Sequence, residues 1–136
     1  MSPLPVRLPG AVSGTDPRFR WGALAAGLAV TFIVSLAAAG LVALAIYATP
    51  ITEQSASAFL FALGVASLVL GAGYAGHLAR TLGWVHGLAV GLGYVLVSLV
   101  LQPMLFSGGW SLGGTLQRLL LGVAAGTLGG VFGVNL

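Results

Sequence analysis

The chain has 136 residues, of which 58% are hydrophobic and 5% charged, and its mean hydropathy is +1.08. Soluble domains carry about 25% charged residues, so this composition excludes a water-soluble fold. The absence of cysteine excludes disulfides, thiolate metal sites and cysteine nucleophiles. The net charge of +3 comes from scattered arginines, too few for a nucleic-acid-binding patch, and we expect no nucleic-acid partner.

The first twenty residues, 1–20, are predicted to form a flexible N-terminal tail. They contain four prolines, two glycines and three arginines, without an apolar period that could form a helix or strand. A secretory signal peptide is the alternative, because small residues at 37–39 follow an apolar run. That run extends from Trp21 to Ala48, however, whereas a signal core has about 7 to 15 residues. Cleavage is therefore disfavoured.

Four apolar segments follow the tail, and each is long enough for one helical crossing of a bilayer, which takes about 20 residues. Proline at position 50 ends the first segment, and a glycine-rich stretch at 107–114 predicts a loop before the fourth. The predicted helices cover residues 21–48, 53–80, 82–106 and 115–135. The sequence therefore predicts an all-α integral membrane protein whose single transmembrane domain, 21–136, is a four-helix bundle.

The distribution of basic residues predicts the orientation in the membrane. The tail carries Arg7, Arg18 and Arg20, and the second connection carries Arg80. The first connection carries no basic residue. By the positive-inside rule, both termini of this multi-pass protein are expected to be cytoplasmic. Arg118, at the outer start of the fourth helix, is not explained by this rule. It is near enough to the helix end for its side chain to reach the membrane surface.

Glycine carries the packing signal. In lipid no hydrophobic effect drives helices together, so close backbone contact between small residues supports their association. Four-residue spacing in the third and fourth helices, with further glycines in the second, predicts glycine-zipper packing and the tightest contacts at the cytoplasmic side. The predicted packing residues are Gly71, Gly73, Gly76, Gly83, Gly87, Gly91, Gly122, Gly126, Gly129, Gly130 and Gly133.

Short segments of the second helix recur in the fourth. Residues 63–66 read Leu-Gly-Val-Ala, and residues 121–124 repeat them. Two helices per unit return the chain to its starting side, so such a repeat would be parallel, with a pseudo-twofold axis along the membrane normal. Coincidence is the alternative, because a chain rich in glycine and alanine produces short matches by composition alone.

The stretch GAGYAGHLARTLGWVHGLAVGLGYVL at 71–96 and the ending LGGVFGVNL at 128–136 resemble the YrzE-like family of small bacterial membrane proteins. The most specific part is the arrangement of Gly83, Trp84, Gly87, Gly91 and Tyr94. The resemblance covers about 21–136 and implies four helices in a bacterial inner membrane. It implies no activity and no catalytic residues. Family members carry more basic residues after the second helix, and this departure weakens a lipid-binding role for that loop.

Basic side chains at the cytoplasmic edge form one candidate site. His77 and Arg80 share a helix face, with His86 across the turn, so a phosphate or an anionic lipid headgroup could lie between them. Anchoring at the interface is the favoured alternative, since basic groups at helix ends reach the surface by default. No third ligand accompanies the two histidines, so no metal and no cofactor are expected.

Neutral polar groups inside the membrane form the second candidate. Tyr94, Ser98 and Gln102 could line a polar path, and Ser98 or Ser67 could bond to the Tyr94 hydroxyl. The remaining buried hydroxyls are interpreted as hydrogen-bonding glue between helices. No charge lies near mid-membrane, which counts against a proton-coupled or cation-coupled transporter.

Two functional hypotheses result. The first is a non-catalytic protein that associates through its glycine faces with another membrane protein or with itself. The alternative is a small oligomeric channel or transporter lined by the neutral polar groups. An enzyme is not expected, because Asp16 and Glu53 are predicted on opposite sides of the membrane and cannot form an acid–base pair.

Overall fold

A computed structural model describes residues 19–49, 53–105 and 111–136 of the chain. Within these ranges the chain forms four α-helices and no strand. They are α1 (Trp21–Ala48), α2 (Glu53–Ala79), α3 (Gly83–Leu105) and α4 (Leu112–Val134). Each helix is long and apolar enough to cross a membrane. The predicted all-helical four-helix bundle is therefore confirmed.

Several helix boundaries differ from the predicted ones. The fourth helix begins at Leu112 instead of Thr115, because the Ser111 side chain accepts a hydrogen bond from the Gly114 backbone N–H and caps the first turn. α2 ends at Ala79, one residue before the predicted end. α3 begins at Gly83 and ends at Leu105, with Pro103 inside the helix. Residues 1–18 of the predicted tail, the helix stop at position 50 and residues 107–110 of the predicted 107–114 loop lie outside the described residues.

The helices alternate in direction, and α2 and α3 form the centre of the bundle. α1 packs against α2 and α3, and α4 packs against the same two helices from the other side. In the described part of the chain, α1 and α4 do not contact each other. The short connections therefore produce two antiparallel hairpins, α1–α2 and α3–α4. The sequence repeat that relates these hairpins stays a prediction.

At one end of the bundle, where α2 and α4 finish and α1 and α3 begin, glycines let the backbones touch; we call this the glycine end. A Cβ atom placed on Gly87 would overlap the carbonyl oxygen of Gly126, and one on Gly130 would overlap that of Gly83. A Cβ atom on Gly76 would overlap the Gly130 carbonyl oxygen. Gly130 therefore lies where the backbones of α2, α3 and α4 converge.

Glycine contacts also join the other helix pairs at this end. A Cβ atom on Gly133 would overlap the Gly73 carbonyl oxygen, which joins α4 to α2. Gly71 instead faces α1, where a Cβ atom would overlap Thr31 Oγ1 and lie 2.6 Å from the carbonyl oxygen of Gly27. The sequence did not predict Gly27 or Thr31 as packing residues. Both are buried, and Thr31 is the larger side chain that fills the space left by Gly71.

The opposite end of the bundle, where α1 and α3 finish and α2 and α4 begin, is loosely packed; we call it the open end. Large apolar side chains of α1 point away from the bundle here, and α2 exposes Phe59 and Phe61. The buried core residues lie mainly toward the glycine end, around Ala72, Ala75 and Val90. The buried residues of the described chain therefore concentrate toward the glycine end, while glycine-zipper packing stays a prediction.

Candidate functional site

Among the described residues, polar side chains come together at two places: a junction at the glycine end and a cavity toward the open end. The junction is centred on His86, whose side chain is fully buried. Its Nε2 accepts a hydrogen bond from the backbone N–H of Arg20 over 3.0 Å, and its Nδ1 lies 3.1 Å from the carbonyl oxygen of Leu82. Because Nε2 accepts, the ring proton is on Nδ1 and is donated to Leu82.

Arg20 connects three helices at this junction. Its carbonyl oxygen accepts the first hydrogen bonds of α1, from the N–H groups of Ala23 and Leu24. Its guanidinium donates to the carbonyl oxygen of Leu78 over 2.8 Å. Carbonyls in the last turn of a helix lack a partner within that helix, and a basic side chain is a favourable one. Arg20 therefore holds the start of α1 against the end of α2 and the first turns of α3.

Phe19 completes the junction. Its ring is stacked on the His86 imidazole, with 4.7 Å between ring centroids and 8° between planes, and it meets Trp21 edge-on at 5.0 Å. Such ring pairs stabilise a packed cluster beyond the apolar area that they bury. The predicted flexible tail at 1–20 is therefore wrong for its last two residues, which belong to the folded bundle.

The structure separates the three residues of the predicted anion site. His86 is buried, and both of its ring nitrogens are hydrogen-bonded, so it is closed to a phosphate. His77 and Arg80 are exposed. Arg80 (φ 58°) and Leu82 (φ 50°) adopt left-handed backbone conformations, which make the sharp turn between α2 and α3. The basic residue that sequence reasoning missed here is Arg20. The location of His86 in an apolar helix indicates that its ring has a hydrogen-bond partner within the protein.

The cavity lies between α2, α3 and α4 toward the open end and has a volume of about 480 Å³. Its walls are mainly apolar, with side chains such as Leu60, Phe61 and Leu68 from α2. Tyr94 and Ser98 contribute polar groups from α3, so two residues of the predicted polar path line it. Both the size and the mixture of apolar walls with few polar groups are typical of ligand pockets, which measure about 300–1,000 Å³.

Arg118 supplies the charge in this cavity wall. Its guanidinium donates from Nη1 to Oε1 of Gln102 over 2.6 Å, which joins α4 to α3 near the open end. Gln102 is a neutral partner, so this hydrogen bond brings no negative charge to Arg118. Gln102, the third residue of the predicted polar path, therefore contacts Arg118. The positive-inside rule does not explain the location of this arginine.

Hydroxyl groups inside the membrane bond mainly within their own helices. Ser98 Oγ donates to the Tyr94 carbonyl oxygen and Ser67 Oγ to that of Leu63, each over 2.7 Å. Thr31 likewise donates to the carbonyl oxygen of Gly27. The expectation that these groups bridge helices is therefore wrong, because the carbonyl four residues back is the nearest acceptor in a helix. Neither Ser67 nor Ser98 donates its proton to the Tyr94 hydroxyl.

Four long apolar helices define a multi-pass membrane protein of the all-helical class. The chain belongs to the family described as "Protein of unknown function (DUF3792)", whose family model matches residues 20–133. The match fits the expectation of an uncharacterised family, while the resemblance to the YrzE-like family stays a prediction. Among curated proteins and solved structures, the comparisons find no match. The family therefore supplies no activity, and function has to be argued from the geometry.

Proposed function

We propose that this protein is a non-catalytic membrane component that acts by helix–helix association, with a second copy of itself, through an exposed face of α1. This face, the α1 seam, consists of Ile33, Leu36, Gly40, Leu44 and Tyr47. At 100° per residue these five positions fall within one narrow arc of the helix. The observation that carries the proposal is that none of the described residues of the same chain covers this face.

The exposure of the α1 seam is high along its whole length. Leu36 is 71% exposed and Tyr47 91%, and an atom added at Gly40 would meet nothing within 4 Å. The glycines at the contacts of α3 with α4, such as Gly87, Gly126 and Gly130, do not offer such a surface, because the facing helix of the same chain already occupies it. We therefore propose that the protein associates through the α1 seam and not through the glycine faces that the sequence predicts.

The pattern of sizes along the seam suits self-association. Gly40 lies at its centre, with Leu36 and Leu44 one turn to either side. In a parallel pair related by a twofold axis, each Gly40 would face its copy, which permits close approach of the backbones, and the leucines would pack on both flanks. A twofold interface requires a surface that is complementary to itself, and this arrangement meets that requirement.

Gly40→Leu tests the proposal, with Gly22→Leu as the matched control. Both glycines have open space around them, and leucine favours the helix over glycine by roughly 0.8–1 kcal/mol, so neither change harms folding. Cross-linking in native membranes and native mass spectrometry in mild detergent should show an oligomer that Gly40→Leu dissociates and Gly22→Leu preserves.

A monomeric wild-type protein in both measurements would contradict self-association. A stoichiometric second protein that is lost with Gly40→Leu would instead assign the seam to a hetero-partner. Equal oligomer fractions in both variants would show that α1 is not the contact surface.

A channel or transporter is the second candidate, and the cavity is the observation that favours it. Tyr94 and Ser98 line the cavity and Gln102 adjoins it, as a polar path requires. Toward the glycine end the backbones of three helices touch, so conduction through one chain would need those helices to separate. Solute flux in proteoliposomes that Gly64→Leu abolishes would support this function, and vesicles that stay tight to a broad solute panel would contradict it.

We further propose a bacterial inner membrane as the location, with both termini cytoplasmic. The support is the basic Arg20 and Arg80 at the glycine end, together with the basic tail residues that precede them. Labelling of single cysteines introduced at Ser2 and at Gly113 in intact cells would test the orientation. Reagents that cannot cross the membrane should reach the second position and not the first.

A further inference from the structure

We propose that the cavity between α2, α3 and α4 binds one acyl chain of an anionic phospholipid, whose phosphate is held by Arg118. The site is separate from the α1 seam, and its ligand chemistry goes beyond the association proposed above. Charge, shape and position within the bundle each support it.

The charge of Arg118 calls for an anion. Its hydrogen-bond partner among the described side chains is the neutral amide of Gln102. A guanidinium has five N–H donors, so one bond to Gln102 leaves several for phosphate oxygens. Because Gln102 accepts through Oε1, its NH₂ group can donate to the same anion. The donors of two helices therefore converge near one point.

The shape of the cavity fits an acyl chain below that point. Apolar side chains of α2 form one wall, and Val95 and Leu121 from α3 and α4 form part of the other. Gly64 widens the space, because it has no side chain and an added Cβ atom would lie 3.7 Å from its nearest neighbour, the Tyr94 hydroxyl. A hydrocarbon chain buried there would exchange lipid contacts for protein contacts, while the phosphate would gain charge-assisted hydrogen bonds.

The position along the bundle selects a bilayer lipid as the source of the anion. Arg118 is six residues into α4, roughly 9 Å from its start at about 1.5 Å per residue, so its long side chain can extend from the edge of the hydrocarbon core to the lipid headgroups. From there the cavity continues toward Leu68 and Tyr94, deeper in the bundle. A lipid in the leaflet where α4 begins has the same orientation, with its phosphate at the surface and its chain pointing inward.

Native mass spectrometry of the full chain with two lipids of identical acyl chains tests the proposal. The probes are palmitoyl-oleoyl phosphatidylglycerol, which is anionic, and palmitoyl-oleoyl phosphatidylcholine, which is zwitterionic. We expect the wild-type protein to bind the anionic lipid about tenfold more tightly, and Arg118→Gln to abolish that preference. Arg80→Gln removes a charge at the glycine end and should leave the preference unchanged.

A second variant tests the acyl chain separately from the charge. In Gly64→Leu the new side chain enters the cavity, where the nearest atom to an added Cβ is the Tyr94 hydroxyl at 3.7 Å. This variant should weaken the binding of both lipids, whereas Gly22→Leu should weaken neither. Bound anionic lipid should also raise the melting temperature of the wild-type protein more than that of Arg118→Gln.

Three results would overturn the proposal. The first is equal affinity of the wild-type protein for the two lipids. The second is a preference for the anionic lipid that survives in Arg118→Gln. The third is Arg118-dependent binding of free oleate without binding of phosphatidylglycerol, which would replace the phospholipid by a fatty acid. If Arg118→Gln does not fold, Arg118→Met removes the charge and keeps an apolar side chain, and a preference that survives in Arg118→Met would count equally against the site.

Discussion

The Nε2 atom of His86 accepts a hydrogen bond from the backbone N–H of Arg20 over 3.0 Å, which joins two residues 66 positions apart in the sequence. This bond fixes the entry of the chain into the membrane domain, since α1 begins at the next residue, Trp21. It also uses the histidine as a structural acceptor, and the aromatic ring of Phe19 covers it. The side chain with the most obvious chemistry in the bundle is therefore part of its framework.

Replacement of His86 by alanine should destabilise the bundle. The change would leave the Arg20 N–H without its acceptor, which costs about 1–3 kcal/mol, and would also remove the ring on which Phe19 packs. Denaturation in mixed micelles of detergent and SDS, followed by circular dichroism, would measure the loss. His77→Ala is the control, because His77 is exposed on α2 and should leave stability unchanged. Equal stability of the two variants would show that the junction contributes nothing.

Gly87→Leu and Gly126→Leu should both destabilise the fold strongly. Even a Cβ atom at either position would overlap a carbonyl oxygen of the facing helix, and backbone cannot move aside as a flexible side chain can. Overpacking typically costs about 1–3 kcal/mol, and we expect at least the upper part of that range. Thermal unfolding in detergent would measure it, with Gly22→Leu as the control in open space. Unchanged melting temperatures for both variants would refute the close α3–α4 contact.

Arg80→Gly should raise stability, although it removes a charge. Arg80 has φ 58°, and a residue with a side chain in this region is less favourable than glycine by roughly 1–2 kcal/mol. Because glycine is also more flexible in the unfolded state, we expect a net gain of about 0.5–1 kcal/mol. Ala79→Gly, one residue earlier and still helical, should lower stability instead. Opposite signs in chemical denaturation would confirm the turn geometry, and a loss in both would contradict it.

The sequence predicted the features of this fold that have a local pattern. Four long apolar runs indicated the four helices, and the α3–α4 backbone contacts lie at glycines whose four-residue spacing is visible in the chain. The glycine pairs predict a loop up to residue 114, whereas α4 begins at Leu112 because Ser111 caps its first turn. A cap and a loop use similar residues, and only the backbone conformation distinguishes them.

The polar contacts could not be predicted, because they join residues without a common pattern. Nothing in the composition around Arg20 or His86 identifies one as the partner of the other. The same holds for Arg118 and Gln102, whose hydrogen bond depends on how α3 and α4 align. The sequence did indicate that an arginine in an apolar helix requires an explanation. Which residues lie next to Arg118 depends on how the helices pack, and no local sequence pattern encodes that packing.

The convergence of three backbones at Gly130 also limits how this protein can change over evolutionary time. Alanine is the smallest replacement for glycine, and here even its single methyl group would occupy space already filled by a main-chain carbonyl of the facing helix. Main-chain atoms cannot be substituted, so no compensating mutation across the contact can make room. Sequence drift should therefore be confined largely to the opposite half of the bundle, where exchange among leucine, valine and phenylalanine alters only surfaces that face lipid or the cavity.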